Sequence, residues 1–180
     1  MSIERLQAAI REKKTPVALG LAPEIDKVPA KILKNFEDMF GPGMMANAEA
    51  LRFHGCQAMD AAQGKLPAVV ISAEHYLRYG MMGADVLSNL TGAASARGLY
   101  AIVDCRTTRP ELWLTSPMVG DGFTVMPYVG GDCVPDCDGQ NALPAFDNMG
   151  HGAMVVDYSL QYGGDVGAAV SEMKAWVNVL

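Results

Sequence analysis

The sequence predicts an α/β fold built from parallel β–α units, and three observations carry that prediction. Five short apolar runs, Val17–Leu21, Ala68–Ser72, Leu99–Val103, Gly122–Met126 and Ala153–Val156, each have the length of a strand. Continuous apolar runs bounded by turn signals fit strands covered on both faces, as parallel sheets require. Helix-length segments separate most of these runs, and strands alternating with helices are the pattern of parallel crossovers. Right-handed crossovers leave two common architectures, a doubly wound sheet or a barrel. The third observation is an absence. No G-x-G-x-x-G follows the first strand, and there is no Walker pattern and no internal repeat. A closed eight-stranded barrel normally takes about 250 residues, with a lower limit near 200, so a chain of 180 residues is short for one.

The elements follow in order. Ser2 can cap a first helix to about Lys13, with Ile3, Leu6 and Ile10 on one face, and Thr15-Pro16 breaks it. After the first strand, Ala22-Pro-Glu-Ile-Asp26 reads as a turn. Pro29 can open a helix through Phe40, stopped by Gly41-Pro-Gly43. Met44 to Gln63 is an Ala- and Met-rich helix containing His54, read as a surface or hydrogen-bonded core residue rather than a ligand, and Cys56, read as a small buried hydrophobe rather than a nucleophile. Glu74, His75, Tyr76, Arg78 and Tyr79 follow the second strand. Gly83 to Arg97 is a helix that Gly98 stops. Pro110 to Asp121 reads as loop or short helix. Pro127-Tyr-Val-Gly-Gly-Asp132 is a glycine-bearing turn whose exposed N–H groups are weak grounds for an anion site. Asn141 to Asn148 is a short helix, and Asp165 caps a last helix to Leu180.

Composition bounds the function. Half the residues are hydrophobic, 19% are charged, and the formal net charge is −6, with no basic stripe. Nucleic acid is therefore not an expected partner. No apolar run approaches the roughly 20 residues that span a bilayer, and the amphipathic N-terminus has no apolar signal core. These features lead to the expectation of a cytoplasmic protein of one domain, residues 1–180. Four cysteines are present, and only Cys133 and Cys137 are close in sequence. One such pair without a second pair or a nearby His-x-x-x-His is weak ground for zinc, and free thiols are the simpler reading. No metal and no cofactor are expected.

The chemistry concentrates at the end of the third strand, Leu99-Tyr-Ala-Ile-Val-Asp104-Cys-Arg106-Thr-Thr-Arg109. One carboxylate and two guanidiniums there lie just past a buried strand, where α/β folds carry their sites. The competing reading is an ion-paired loop with no further role.

Several segments together resemble the orotidine 5′-phosphate decarboxylase family, in its longer bacterial form. The family's Val-Gly-Leu-Asp-Pro is matched by Val17-Ala-Leu-Gly-Leu-Ala22-Pro23. Its second strand, Ala-Val-Lys-Pro-Gln followed by an aromatic-Glu-x-Tyr-Gly, is matched by Ala68-Val-Val70-Ile-Ser72 and Tyr76-Leu-Arg-Tyr79-Gly80. Its Gly-Leu-x-Val-Ile, then Asp-x-Lys-x-x-Asp, is matched by Gly98 to Arg109. Val-Thr-Val-Asn-Pro-Tyr-Leu-Gly is matched by Phe123-Thr-Val-Met-Pro127-Tyr128-Val-Gly130. Gly-x-Phe-Val-Leu-Val, then Lys-Thr-Ser-Asn, is matched by Gly152-Ala-Met-Val-Val156-Asp157-Tyr158-Ser159. The resemblance implies a TIM-barrel-like fold. With three family strands absent beyond the fifth, it implies an incomplete barrel of about five strands, completed or covered by a partner chain. It also implies a homo-oligomer, first of all a dimer.

The departures shape the functional expectation. The family uses an alternating Asp-Lys array whose lysine protonates the carbanion left when carbon dioxide departs. Here the array positions read Ala22, Val70, Arg106 and Arg109, and only Asp104 remains. A guanidinium with a pKa above about 12 is a poor proton donor. The family's last strands, which hold the substrate phosphate, have no counterpart. The resemblance therefore implies a degenerate homologue without decarboxylase activity, a binding or assembly protein. Asp104, Arg106, Arg109 and Ser159 would line a pocket that takes a small anionic ligand. The alternative is a lyase of this family, in pyrimidine biosynthesis, or an altered enzyme on a small anionic metabolite. In that case Asp104 acts as base and Arg106 as anion clamp, with Glu74 or His75 helping. A single sure carboxylate makes a poor magnesium site.

Overall fold

The structure is a computed structural model that describes residues 3–107, 109–125, 155–162 and 164–177. The predicted helix Asn141–Asn148, the Cys133–Cys137 pair and the Gly130-Gly131 turn lie outside the described residues.

The strands are β1 (Val17–Leu21), β2 (Ala68–Ser72), β3 (Tyr100–Thr107), β4 (Gly122–Val125) and β5 (Val155–Asp157). The helices are α1 (Ile3–Lys13), α2 (Ala30–Phe40), α3 (Met44–Ala62), α4 (Ala73–Leu77), α5 (Gly80–Ala96), α6 (Pro110–Trp113) and α7 (Val166–Val177), with 3₁₀ turns at Ile25–Lys27 and Leu160–Tyr162. The expected bounds of α1 to α3 hold to within a residue or two. Between β2 and the predicted Gly83–Arg97 helix the structure adds α4, and α5 starts at Gly80. Gly98, at φ +71°, ends that segment as its sequence position predicts.

The five strands among the described residues are all parallel, in the order β4-β3-β2-β1-β5. The pleat sorts their side chains onto two faces. Val17, Leu19, Leu21, Val69, Ile71, Ala101 and Val103 pack with Leu51, Met59, Leu87, Leu90 and Val170 of α3, α5 and α7. Ala18, Ala68, Val70 and Tyr100 point the other way and meet Leu6 and Ile10 of α1, with Ile102 and Tyr158 against them. A doubly wound sheet lays crossover helices on both faces, whereas a barrel keeps them on its outside. Here α3, α5 and α7 share one face, so the winding is that of a barrel wall. α1 packs against the opposite face near the strands' amino ends.

Two features depart from the sequence expectation. β3 does not stop at Val103 but continues to Thr107 through a register shift against β4. Arg106 there has φ +43°. Thr124 of β4 supports this bulge: its hydroxyl donates to Asp104 Oδ1 at 2.7 Å and accepts the Arg106 N–H at 2.9 Å. Secondly, β5 pairs with β1, Ala18 opposite Val156, rather than with β4. In a barrel wound in chain order that place belongs to the last strand, although the sequence resemblance matches this segment to a fifth one. Gly20 makes room there, since a Cβ on it would lie 2.5 Å from the Tyr158 ring and 2.9 Å from its Cα.

No helix among the described residues is long and apolar enough to cross a membrane. Cys56 and Cys105 are free thiols.

Candidate functional site

A cavity of about 720 Å³ opens at the carboxyl ends of the strands. That is a size suited to a small organic ligand. Five chain segments supply its walls: Ala22 to Lys27 after β1, Ser72 to Leu77 from the end of β2, Asp104 to Arg106 at the end of β3, Trp113 of α6, and Tyr158 to Tyr162 after β5. Parallel strands bring all these ends to one rim, which is why residues more than 130 positions apart share it.

Asp104 is the anionic centre. Its side chain is 15% exposed, accepts the Thr124 hydroxyl, and meets Arg106 Nε at 3.6 Å. The Arg106 guanidinium is 67% exposed, so this ion pair is long and water-facing. Beneath lies Tyr158, whose hydroxyl is pushed up to about 12, chiefly by burial and then by the Asp104 charge, with Arg106 opposing. Val70 of β2 is 2% exposed, packs among apolar neighbours and is not part of the lining.

The opposite wall is tied down by Tyr162. Its hydroxyl accepts the Glu24 N–H at 2.8 Å and donates to the Ala22 carbonyl at 3.2 Å. The Lys27 ammonium lies 5.7 Å from its ring centre and binds the Glu24 carboxylate at 2.8 Å. Lys27 holds the Glu24 carboxyl below its usual range, through the hydrogen bond first and its charge second. His54 stacks on Tyr162 with ring centres 5.7 Å apart, and burial lowers its pKa. It is buried and its Nε2 has no hydrogen-bond partner, so it is neither the surface residue nor the hydrogen-bonded core residue that the sequence suggested.

The structure brings Asp104, Arg106 and Ser159 together on the cavity, with Glu74 and His75 beside them. Arg109, immediately before α6, is off the lining and pairs with Glu111. Sequence reading did not single out Thr124, Tyr162, Lys27 or Ser72. Only strand register and the return of the chain beside β1 place them here, and neither is a local signal. Among the described residues no group of three or more His, Cys, Asp or Glu side chains could hold a metal ion.

Compared with solved structures, the chain matches orotidine 5′-phosphate decarboxylases. The Leishmania donovani enzyme superposes with a TM-score of 0.66 at 14% identity, covering 99% of this chain and 98% of that one. The Plasmodium berghei enzyme gives 0.57 at 12% identity, over 71% and 53%. A Streptomyces avermitilis protein assigned the same activity gives 0.54 at 21% identity, over 72% and 45%. The chain thus spans about half the length of the latter two. No family profile and no curated protein matches the sequence. The fold is a parallel β/α arrangement like that of TIM-barrel proteins, with a cavity at the carboxyl ends of the strands. The particular version of that fold is the one seen in orotidine 5′-phosphate decarboxylases.

Proposed function

We propose that the chain is a homologue of orotidine 5′-phosphate decarboxylase that lacks decarboxylase activity and binds a small anionic ligand in this cavity. The observation that carries the reading is Val70. The resemblance assigns that position a lysine of the charged array, and here it is a buried valine packed with Leu6, Ile10 and Tyr100. Ala22, on the rim, is equally uncharged where the family has a carboxylate. Decarboxylation rests on charges preorganised around the reacting carboxylate and on a proton donor at the carbon it leaves. Neither Val70 nor Ala22 supplies one, and Asp104 is engaged with Thr124 and Arg106. Arg106 is the cation most readily recruited by an anion, because its pair is long and exposed. We also propose that the protein works as a homo-oligomer, with a dimer as the first expectation.

The test is calorimetric titration with uridine 5′-phosphate and orotidine 5′-phosphate, together with a spectrophotometric decarboxylation assay. The expected result is no turnover, and any binding weakened by Arg106→Ala. Turnover of orotidine 5′-phosphate overturns the reading. Light scattering tests the oligomer, which a monomeric mass rules out. The alternative, an altered enzyme with Asp104 as base, draws support from that carboxylate lining the cavity. In that case Asp104→Ala abolishes turnover of whatever metabolite is found to react.

A further inference from the structure

The cavity also holds a nucleophile–base contact that ligand binding does not require. Ser72 ends β2 at the N-cap of α4, where a serine oxygen ordinarily accepts a backbone N–H of the first turn. It makes no such bond here. Its Oγ lies instead 2.8 Å from Nδ1 of His75. Both residues line the cavity, and Ser72 is only 7% exposed, so its hydroxyl is shielded from bulk solvent and reached from the cavity side. With Nδ1 unprotonated, the hydroxyl donates to the imidazole, the arrangement by which histidine activates a serine.

We infer that Ser72, activated by His75, is a nucleophile for acyl transfer from small esters that enter this cavity. Ser72 Oγ attacks the carbonyl carbon while its proton passes to His75 Nδ1. Collapse of the tetrahedral adduct breaks the bond to the alcohol oxygen, and the alcohol leaves with that proton. Water, deprotonated by the same imidazole, then cleaves the acyl–Ser72 bond, restoring the hydroxyl and releasing a carboxylic acid. Arg106 at the rim favours acyl groups that carry a negative charge. The inference goes beyond the binding reading, and nucleotide titration and acyl transfer can each fail without the other.

The test is labelling of the full chain with a fluorophosphonate, read by intact mass and by peptide mapping. One adduct per chain on the Ser72 peptide is expected, and Ser72→Ala abolishes it. His75→Gln slows labelling roughly a hundredfold, as loss of a general base does, with thermal unfolding unchanged. Ser95→Ala, on the exposed side of α5, labels as the parent does. No adduct on the parent chain, or an adduct that survives Ser72→Ala, overturns the inference. Parent-like labelling of His75→Gln overturns the role of the imidazole.

Discussion

The two ends of the sheet treat an aspartate in opposite ways. At the amino end, Asp121 is 12% exposed and its carboxylate is fully engaged. It binds Arg5 of α1 at 2.7 Å through Oδ1 and accepts the Ala101 N–H at 3.0 Å through Oδ2. Its carbonyl accepts the Tyr100 hydroxyl at 3.0 Å, and Arg5 covers the Tyr100 ring at 5.3 Å. At the carboxyl end, Asp104 has similar exposure but has a hydroxyl and a distant, solvent-facing guanidinium as partners. A carboxylate that replaces a backbone acceptor holds two strands and a helix together. One that faces a cavity keeps capacity for a ligand. In barrels of this kind the amino end stabilises and the carboxyl end binds.

Substitutions can break that contrast. The largest effect is expected at Gly20, which faces Tyr158 at the carboxyl end. Gly20→Ala sets a methyl group inside the contact distance of both ring and backbone, and should cost about 3 kcal/mol in urea unfolding as an overpacked site. A near-zero cost would mean that β5 can shift away from β1. Asp121→Ala should come next, at about 2 kcal/mol, because it strands the Ala101 N–H and releases Arg5. Asp104→Ala should cost less than about 1 kcal/mol, since its partners remain solvated. If Asp104→Ala proved the costlier of the two, the division of labour between the ends would be wrong.

A pH series sharpens the picture of the cavity wall. Burial lowers the pKa of His54, so the unfolded chain takes up this proton before the folded chain does. That term is level above the ordinary histidine value of about 6.5 and erodes stability as pH falls below it, until the folded imidazole also protonates. Urea melts at pH 7.5 and 5.5 should therefore show a smaller loss in His54→Gln than in the parent. An equal loss would remove His54 from the account. The smallest effect belongs to Arg109→Ala, within about 0.5 kcal/mol in stability, because its pair with Glu111 is exposed on both sides.

Much of the architecture was readable locally. Val17–Leu21 and Ala68–Ser72 match their strands residue for residue, and all ten positions are buried, as parallel strands covered on both faces require. Gly98 marked the end of its helical segment through the one backbone conformation that glycine adopts freely. Asp104 and Arg106, which line the cavity, were legible because charges directly after an apolar run sit at a strand's carboxyl end. Arg109 shared that signal, yet the structure places it past the cavity, since the bulge at Arg106 and the start of α6 turn the chain away.

By itself, then, the sequence determined most of the described strands and the longer helices, that the strands run parallel, and which strand end carries the charges. Those properties follow from apolar periodicity and from glycine and proline, each legible within a short window. Only the tertiary structure decided the rest: helices on one face, β5 beside β1, the bulge supported by Thr124, and the meeting of Ser72 with His75 on a shared cavity. These depend on register and on contacts between distant segments. A side chain such as Thr124 is an ordinary strand residue until its neighbour on β3 is known, because hydrogen bonding across a sheet is set by pairing and not by local composition.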